Sequence, residues 1–151
     1  MTPSRLLAGL GFVVVLTVAG AAQQEKPGAT RPPADSSRTS TKGNAEHGRY
    51  IVEHIAMCHE CHSPRDESGE IVREQRFMGA PIPFRPPWPN DWAQRAPRNA
   101  GLPGYTDEQA IRLLTDGAIA RDGRQLRLPM PRFRMTVDDA RDVVAFMRSL
   151  H

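Results

Sequence analysis

At 151 residues, 25% of them charged and only 6% aromatic, the chain has room for one small folded domain and not for several. Its +3 charge belongs to the first 44 residues, where Arg5, Lys26, Arg31, Arg38 and Lys42 face only Glu25 and Asp35. Residues 45–151 balance 15 Arg against 15 Asp plus Glu, so composition offers no basic stripe for nucleic acid and no nucleic-acid partner is expected.

Residues 1–22 have the layout of an export signal. Arg5 supplies positive charge, Leu6 to Val18 form an apolar run, and Ala19, Gly20 and Ala21 offer a cleavage site before Ala22. The run is slightly short of the roughly 20 residues of a comfortable spanning helix. The segment reads as a cleaved signal peptide or, if retained, an N-terminal membrane anchor, and both send the remainder across a membrane. Residues 23–44 contain no aromatic and no Ile, Leu, Val or Phe, but abundant Pro, Ser and Thr. Such a stretch cannot offset its conformational entropy by burial, so a disordered linker is predicted, about 26 Å in root-mean-square span.

Folded structure is predicted over 45–151. The segment AEHGRYIVEHIAM (45–57) reads as a helix, with Ile51 and Ile55 sharing a face and Tyr50, His54 and Met57 beside them. Gly48 in its interior costs roughly 1 kcal/mol of helix propensity against Ala, which points to close approach by another helix. Residues 79–104 hold seven Pro, which excludes a long helix or interior strand and predicts an unusually long loop. Another helix is predicted from Thr106 to about Asp116, with Gln109 completing a capping box, Gly117 at the stop, and Ala110, Ile111, Leu113 and Leu114 as its apolar face. The last helix starts at Thr136 as N-cap, with Asp138 and Asp139 in its first turn. Ala140, Val143, Val144 and Met147 recur at helical spacing, and Phe146 and Leu150 widen the stripe.

Both cysteines fall in Met57-Cys58-His59-Glu60-Cys61-His62. A disulfide between them would close too short a loop to staple a domain. A thioredoxin-like redox pair would want a βαβ setting, and structural zinc would want further ligands, with Cys58, Cys61 and two His as the available set. The remaining reading is Cys-x-x-Cys-His, the c-type haem attachment sequence. Each thiol adds to one haem vinyl group, so two sulfurs one helical turn apart meet the same edge of the macrocycle. His62, next to the second thioether, is then directed at the iron, for which neutral imidazole is a good ligand.

A sixth iron ligand is sought among Met57, Met78, Met130, Met135 and Met147. Met147 lies on the apolar face of the last helix, Met57 against the attachment site and Met135 just before a helix start. Met78 precedes the Pro-rich loop and is the nearest competitor. Met130 stands between Pro129 and Pro131, which hold it extended and keep it out of any helix. An extended loop suits a thioether aimed at iron, and the soft sulfur raises the reduction potential relative to two imidazoles. His47, His54, His59 and His151 read as surface or packing residues. Trp88, Trp92 or Tyr105 could donate to a haem propionate, and Arg95 or Arg98 could pair with it. A haem would also account for the long loop, by replacing the apolar core that secondary structure would supply.

Gly48 and Tyr50 in the first helix, Cys58-His59-Glu60-Cys61-His62, Pro129-Met130-Pro131 and the ending DVVAFMRSL (142–150) together resemble class I monohaem bacterial cytochromes c, over about residues 45–151. The resemblance implies an all-α, cytochrome c-like domain of about three main helices with a long Pro-rich loop wrapped round one haem. It implies Cys58 and Cys61 thioether-linked to one haem c, with His62 proximal and Met130 distal on the iron, and the first and last helices crossing near Gly48, Tyr50 and Phe146. The Pro-rich insert looks more like cytochrome subunits that serve dehydrogenases. The implied role is a periplasmic electron carrier, not an enzyme, relaying single electrons from a dehydrogenase to an oxidase or another cytochrome, with possible membrane association through the N-terminus. The alternative is a haem enzyme or ligand-binding sensor whose distal Met is labile.

Overall fold

The computed structural model describes residues 42–151, so the signal or anchor read at 1–22 and nearly all of the linker read at 23–44 lie outside the described residues. Asn44 starts the folded chain. Its side-chain oxygen accepts from the N–H of Glu46 and His47 (3.0 and 3.2 Å), capping helix α1 (Ala45–Tyr50). Gly43 already packs on the last helix, where an added Cβ would overlap the Arg141 carbonyl and stand 3.0 Å from the Ala145 Cβ. The folded part therefore begins about two residues earlier than composition predicts.

The helix read over 45–57 is broken into parts. After α1 the chain takes one π-helical turn, Ile51–Ile55, closed by the Ala56 N–H donating to the Ile51 carbonyl at 2.7 Å. A π turn holds one residue more than an α turn, so it rotates the chain beyond it. Ile51 and Val52 are buried while Ile55 is 62% exposed, which corrects the shared Ile51–Ile55 face. Met57, left-handed at φ 46°, ends the turn, and α2 (Cys58–His62) begins in a new direction.

The core sits where α1, the π turn, α3 (Asp107–Thr115) and α4 (Val137–Ser149) meet. The capping box of Thr106 and Gln109 starts α3, and Thr136 accepts from the Asp139 N–H to start α4, as their sequences predict. Ala140, Val143, Val144, Phe146 and Met147 of α4 are buried against Val52, Ala110 and Leu114, and Phe77 meets Phe146 edge to face at 6.1 Å. Asp142 fastens α4 to the start of α1 by accepting from the Asn44 N–H (2.6 Å) and pairing with His47 Nδ1 (2.7 Å). Arg148 does the same at the other end: its guanidinium donates to the carbonyls of Gly101 and Tyr105 and pairs with Asp107 at 2.9 Å.

Gly48 marks the α1–α4 crossing. A Cβ there would overlap the Asp142 carbonyl and lie 2.9 Å from the Val143 nitrogen, both backbone atoms that cannot turn aside. Gly48→Ala gains about 1 kcal/mol of helix propensity. Forcing backbone apart in a packed core costs about 1–3 kcal/mol or more, so the loss should win. Thermal unfolding should show a lowered Tm; an unchanged or raised Tm would mean that the two helices do not cross here.

The Pro-rich insert is a closed loop. The Phe77 carbonyl accepts from the Asn99 and Ala100 N–H groups (3.0 and 3.1 Å), pinching its neck. Above the neck, β1 (Ala80–Pro81) pairs antiparallel with β2 (Arg95–Ala96), in the register Ala80 to Ala96, and the Ile82 N–H donates to the Gln94 carbonyl. Further Pro at 83, 86, 87 and 89 remove donors and stop the ladder there. The result is a small helical domain with one two-residue strand pair that an all-helical reading lacks.

Candidate functional site

Helix α2 is a single turn that brings Cys58, Cys61 and His62 together. Both thiols are free and half-buried. Burial pushes the Cys58 thiol up to about 11, with the neighbouring Cys61 adding to the rise against a backbone hydrogen bond that lowers it.

His62 is 8% exposed, and its Nδ1 lies 2.7 Å from the Pro97 carbonyl. A carbonyl only accepts, so Nδ1 carries the proton and Nε2 is left with its lone pair. Burial pulls the imidazole below its ordinary value, against the smaller upward pull of the Pro97 bond, and so holds the ring neutral. A neutral ring with one nitrogen tied to a carbonyl and the other free is the arrangement that orients histidine toward a metal. The backbone repeats the hold. The His62 carbonyl accepts from the Gly79 N–H at 2.8 Å, and Ser63 Oγ accepts from the buried Phe77 N–H at 3.0 Å. Gly79, at φ +84°, lies so close to the 96–98 backbone that a Cβ would sit 2.6 Å from the Arg98 nitrogen. The neck of the insert is thus built round His62.

The far side of the insert reaches the Met130 segment. The Ala93 N–H donates to the Leu128 carbonyl at 2.7 Å, two residues before Met130. Leu128–Pro129 is a cis peptide bond, and Leu128 to Met130 form a turn in place of the extended segment expected from the flanking prolines, with Met130 half-buried. The same insert anchors His62 through the Pro97 carbonyl and the Met130 segment through Ala93. Among the other methionines, Met147 is 3% exposed in the core, Met57 is exposed on its left-handed turn, and Met78 is 39% exposed. Met135 packs on the core with its N–H bonded to the Leu114 carbonyl.

Several large apolar side chains lie outside while alanines take up part of the interior. Ala80, Ala96, Ala100, Ala110, Ala118 and Ala140 are buried, whereas Ile55, Met57, Met78, Phe84, Trp88 and Leu128 are exposed. The insert borders an open cavity of about 490 Å³ walled by Ile82, Phe84, Trp88, Trp92 and Ala93 among others. Trp92 Nε1 is buried without an acceptor, an orphaned donor of the kind a carboxylate would satisfy. Of the other propionate candidates, Trp88 is 65% exposed, Arg95 points outward, Arg98 Nε donates to the Ala100 carbonyl, and the Tyr105 ring lies beneath Arg121.

Two features of this site have no signal in the sequence. The Pro97 carbonyl is a backbone group 35 residues from His62, and the Ser63 bond to Phe77 depends on the neck. His59 is not a second ring for the same ligand, since its Nε2 faces Glu60 at 3.0 Å and its ring packs on Phe77. Among the described residues no group of three or more His, Cys, Asp and Glu is placed to hold a metal ion by side chains alone. Among known proteins, the chain matches no family model, and no curated protein matches it.

Proposed function

We propose that residues 45–151 form a c-type cytochrome domain that carries one covalent haem and relays single electrons between a dehydrogenase donor and a downstream acceptor, an oxidase or another cytochrome. The observation that carries this reading is the single turn of α2, with two free thiols one turn apart and, beside them, a buried neutral His62 whose Nδ1 is committed to the Pro97 carbonyl. The donor set fits the group. Cys58 and Cys61 would hold its edge, His62 Nε2 one face of its iron, and Met130 the other, while the orphaned Trp92 Nε1 suits a propionate. When bound, the iron porphyrin supplies a centre that takes up and returns one electron.

The chain's own residues do the rest. The Pro97 carbonyl fixes the ring plane and proton position of His62, and so keeps Nε2 available as a ligand. The Pro-flanked Met130 segment, tied through Leu128 to Ala93, presents a thioether that stabilises the reduced state. The insert, with Phe84, Trp88 and Trp92, would cover one side of the bound group. If His62 and Met130 both ligated the iron they would leave no open site for substrate, which is why electron transfer is proposed over haem enzymology. The exported, periplasmic setting and class I membership are part of the same proposal. A visible spectrum of the purified protein tests it: the expected result is a haem signal that titrates between two forms as a one-electron couple, and a colourless chain would sink the reading.

A further inference from the structure

The Met130 segment is fastened at few points. Upstream, the Leu126 N–H donates to the Ala118 carbonyl at 2.9 Å; downstream, the Met135 N–H donates to the Leu114 carbonyl at 3.0 Å, and Phe133 packs on the core nearby. Between those ends run the eight residues 127–134, of which Pro129 and Pro131 bring no N–H. Among the described residues this stretch makes one hydrogen bond and one ion pair, and both reach the Pro-rich insert. The Ala93 N–H donates to the Leu128 carbonyl at 2.7 Å, and Arg127 Nε pairs with Asp91 at 3.1 Å. A segment tied so sparsely opens locally when those bonds give way, without unfolding the rest of the domain.

The insert holds its two partner groups in a braced turn. Asp91 and Ala93 stand on either side of Trp92, whose N–H donates to the Asn90 side-chain oxygen at 2.9 Å. The Trp92 ring meets Phe84 edge to face at 6.1 Å, which props the turn against the opposite arm of the insert. One residue further on, the Gln94 carbonyl accepts from the Ile82 N–H at 2.9 Å. The turn is thus shaped by contacts within the insert before it touches Leu128 or Arg127.

We infer that the Asp91–Trp92–Ala93 turn is a clasp that positions Met130, so that the insert sets how readily the thioether leaves its place; this rests on the electron-carrier reading for Met130 as ligand. Asp91 and Ala93 act through Arg127 and the Leu128 carbonyl, and are positioning residues. The Asp91–Arg127 pair is exposed on both sides, so salt screens it, whereas the backbone bond of Ala93 carries no net charge to screen. Any loosening of Met130 by salt therefore passes through Asp91 and Arg127.

The test uses the ferric holoprotein at saturating cyanide, where the observed rate is the rate at which sulfur gives up its position; cyanide takes that position and no electron moves. A93P removes the donor, and the rate should rise about two- to tenfold, the range for losing one hydrogen bond. D91R and R127D each set like charges face to face, and should each raise the rate by up to about fivefold and flatten its dependence on salt. D91R/R127D restores the pair in reverse and should bring both back towards the parent. M147A loosens the core away from the clasp and should shift the rate by less than about twofold. Exchange of the Ala93 amide proton is a second readout that needs no iron: it should speed in both single charge variants and slow again in the double. Should A93P fail to fold, the charge cycle decides alone. Parent-like cyanide rates in D91R, R127D and a folded A93P, or a double variant no nearer the parent than the singles, would overturn the inference, as would M147A speeding cyanide as much as the clasp variants. A chain without haem, or a parent that binds cyanide at once, would instead sink the reading of the iron, and Ala93 exchange would still decide the clasp.

Discussion

C58S/C61S is expected to abolish covalent haem. On a denaturing gel the parent chain should stain for haem at its own mass, and the double variant should not stain at all. The reason is the geometry of α2, where the two thiols stand one helical turn apart and only a covalent thioether would resist denaturant. Each single variant should keep one link and stain at reduced yield. Serine is close to cysteine in volume, and neither position is fully buried, so the substitution should leave the packing of α1 on α4 in place. Gly48 and Asp142 hold that packing independently of α2. Circular dichroism of the helices distinguishes the outcomes: a folded, unstained double variant supports attachment, and a double variant that stains like the parent refutes it.

Much of the scaffold is legible in the sequence because its determinants are local. The Thr106–Gln109 box, the Thr136 cap and the Ala140–Val143–Val144–Met147 stripe each lie within a turn or two of chain, and each is found as read. Gly48 is legible for another reason. A glycine that costs helix propensity needs a compensating contact, and the Asp142 carbonyl supplies it.

What escapes the sequence is non-local or depends on sums. The π turn at Ile51–Ile55 carries no residue signature, yet it moves Ile55 from the core to the surface and redirects the chain into α2. The clasp of Arg148 on Gly101, Tyr105 and Asp107 joins residues more than 40 positions apart. Charge arrangement is hidden by arithmetic, since 15 Arg and 15 acids cancel over 45–151 however they are placed. The Ala93–Leu128 bond, which joins the insert to the Met130 segment, is non-local as well.

Met130→Ala is expected to leave haem attached but to change the iron, because Cys58, Cys61 and His62 do not depend on it. The ferric form should then bind cyanide, and the ferrous form carbon monoxide, on the order of tenfold faster or more than the parent, since a ligand no longer has to displace sulfur. The reduction potential should fall by on the order of 0.1 V, a modest part of the roughly 0.8 V that axial ligation spans. Met78→Ala is the matched comparison. Met78 is the nearest competitor in sequence, but it is 39% exposed and its N–H closes a tight turn onto the Gln75 carbonyl, so its removal should change neither rate nor potential appreciably. Met147→Ala, by contrast, should act through stability alone, by about 2–5 kcal/mol, because its side chain is 3% exposed in the core. If cyanide binds Met130→Ala no faster than the parent while Met78→Ala becomes reactive, the distal ligand belongs to the other end of the insert. If the parent itself binds cyanide at once, the iron is open from the start, and the sensor or haem-enzyme reading replaces electron transfer.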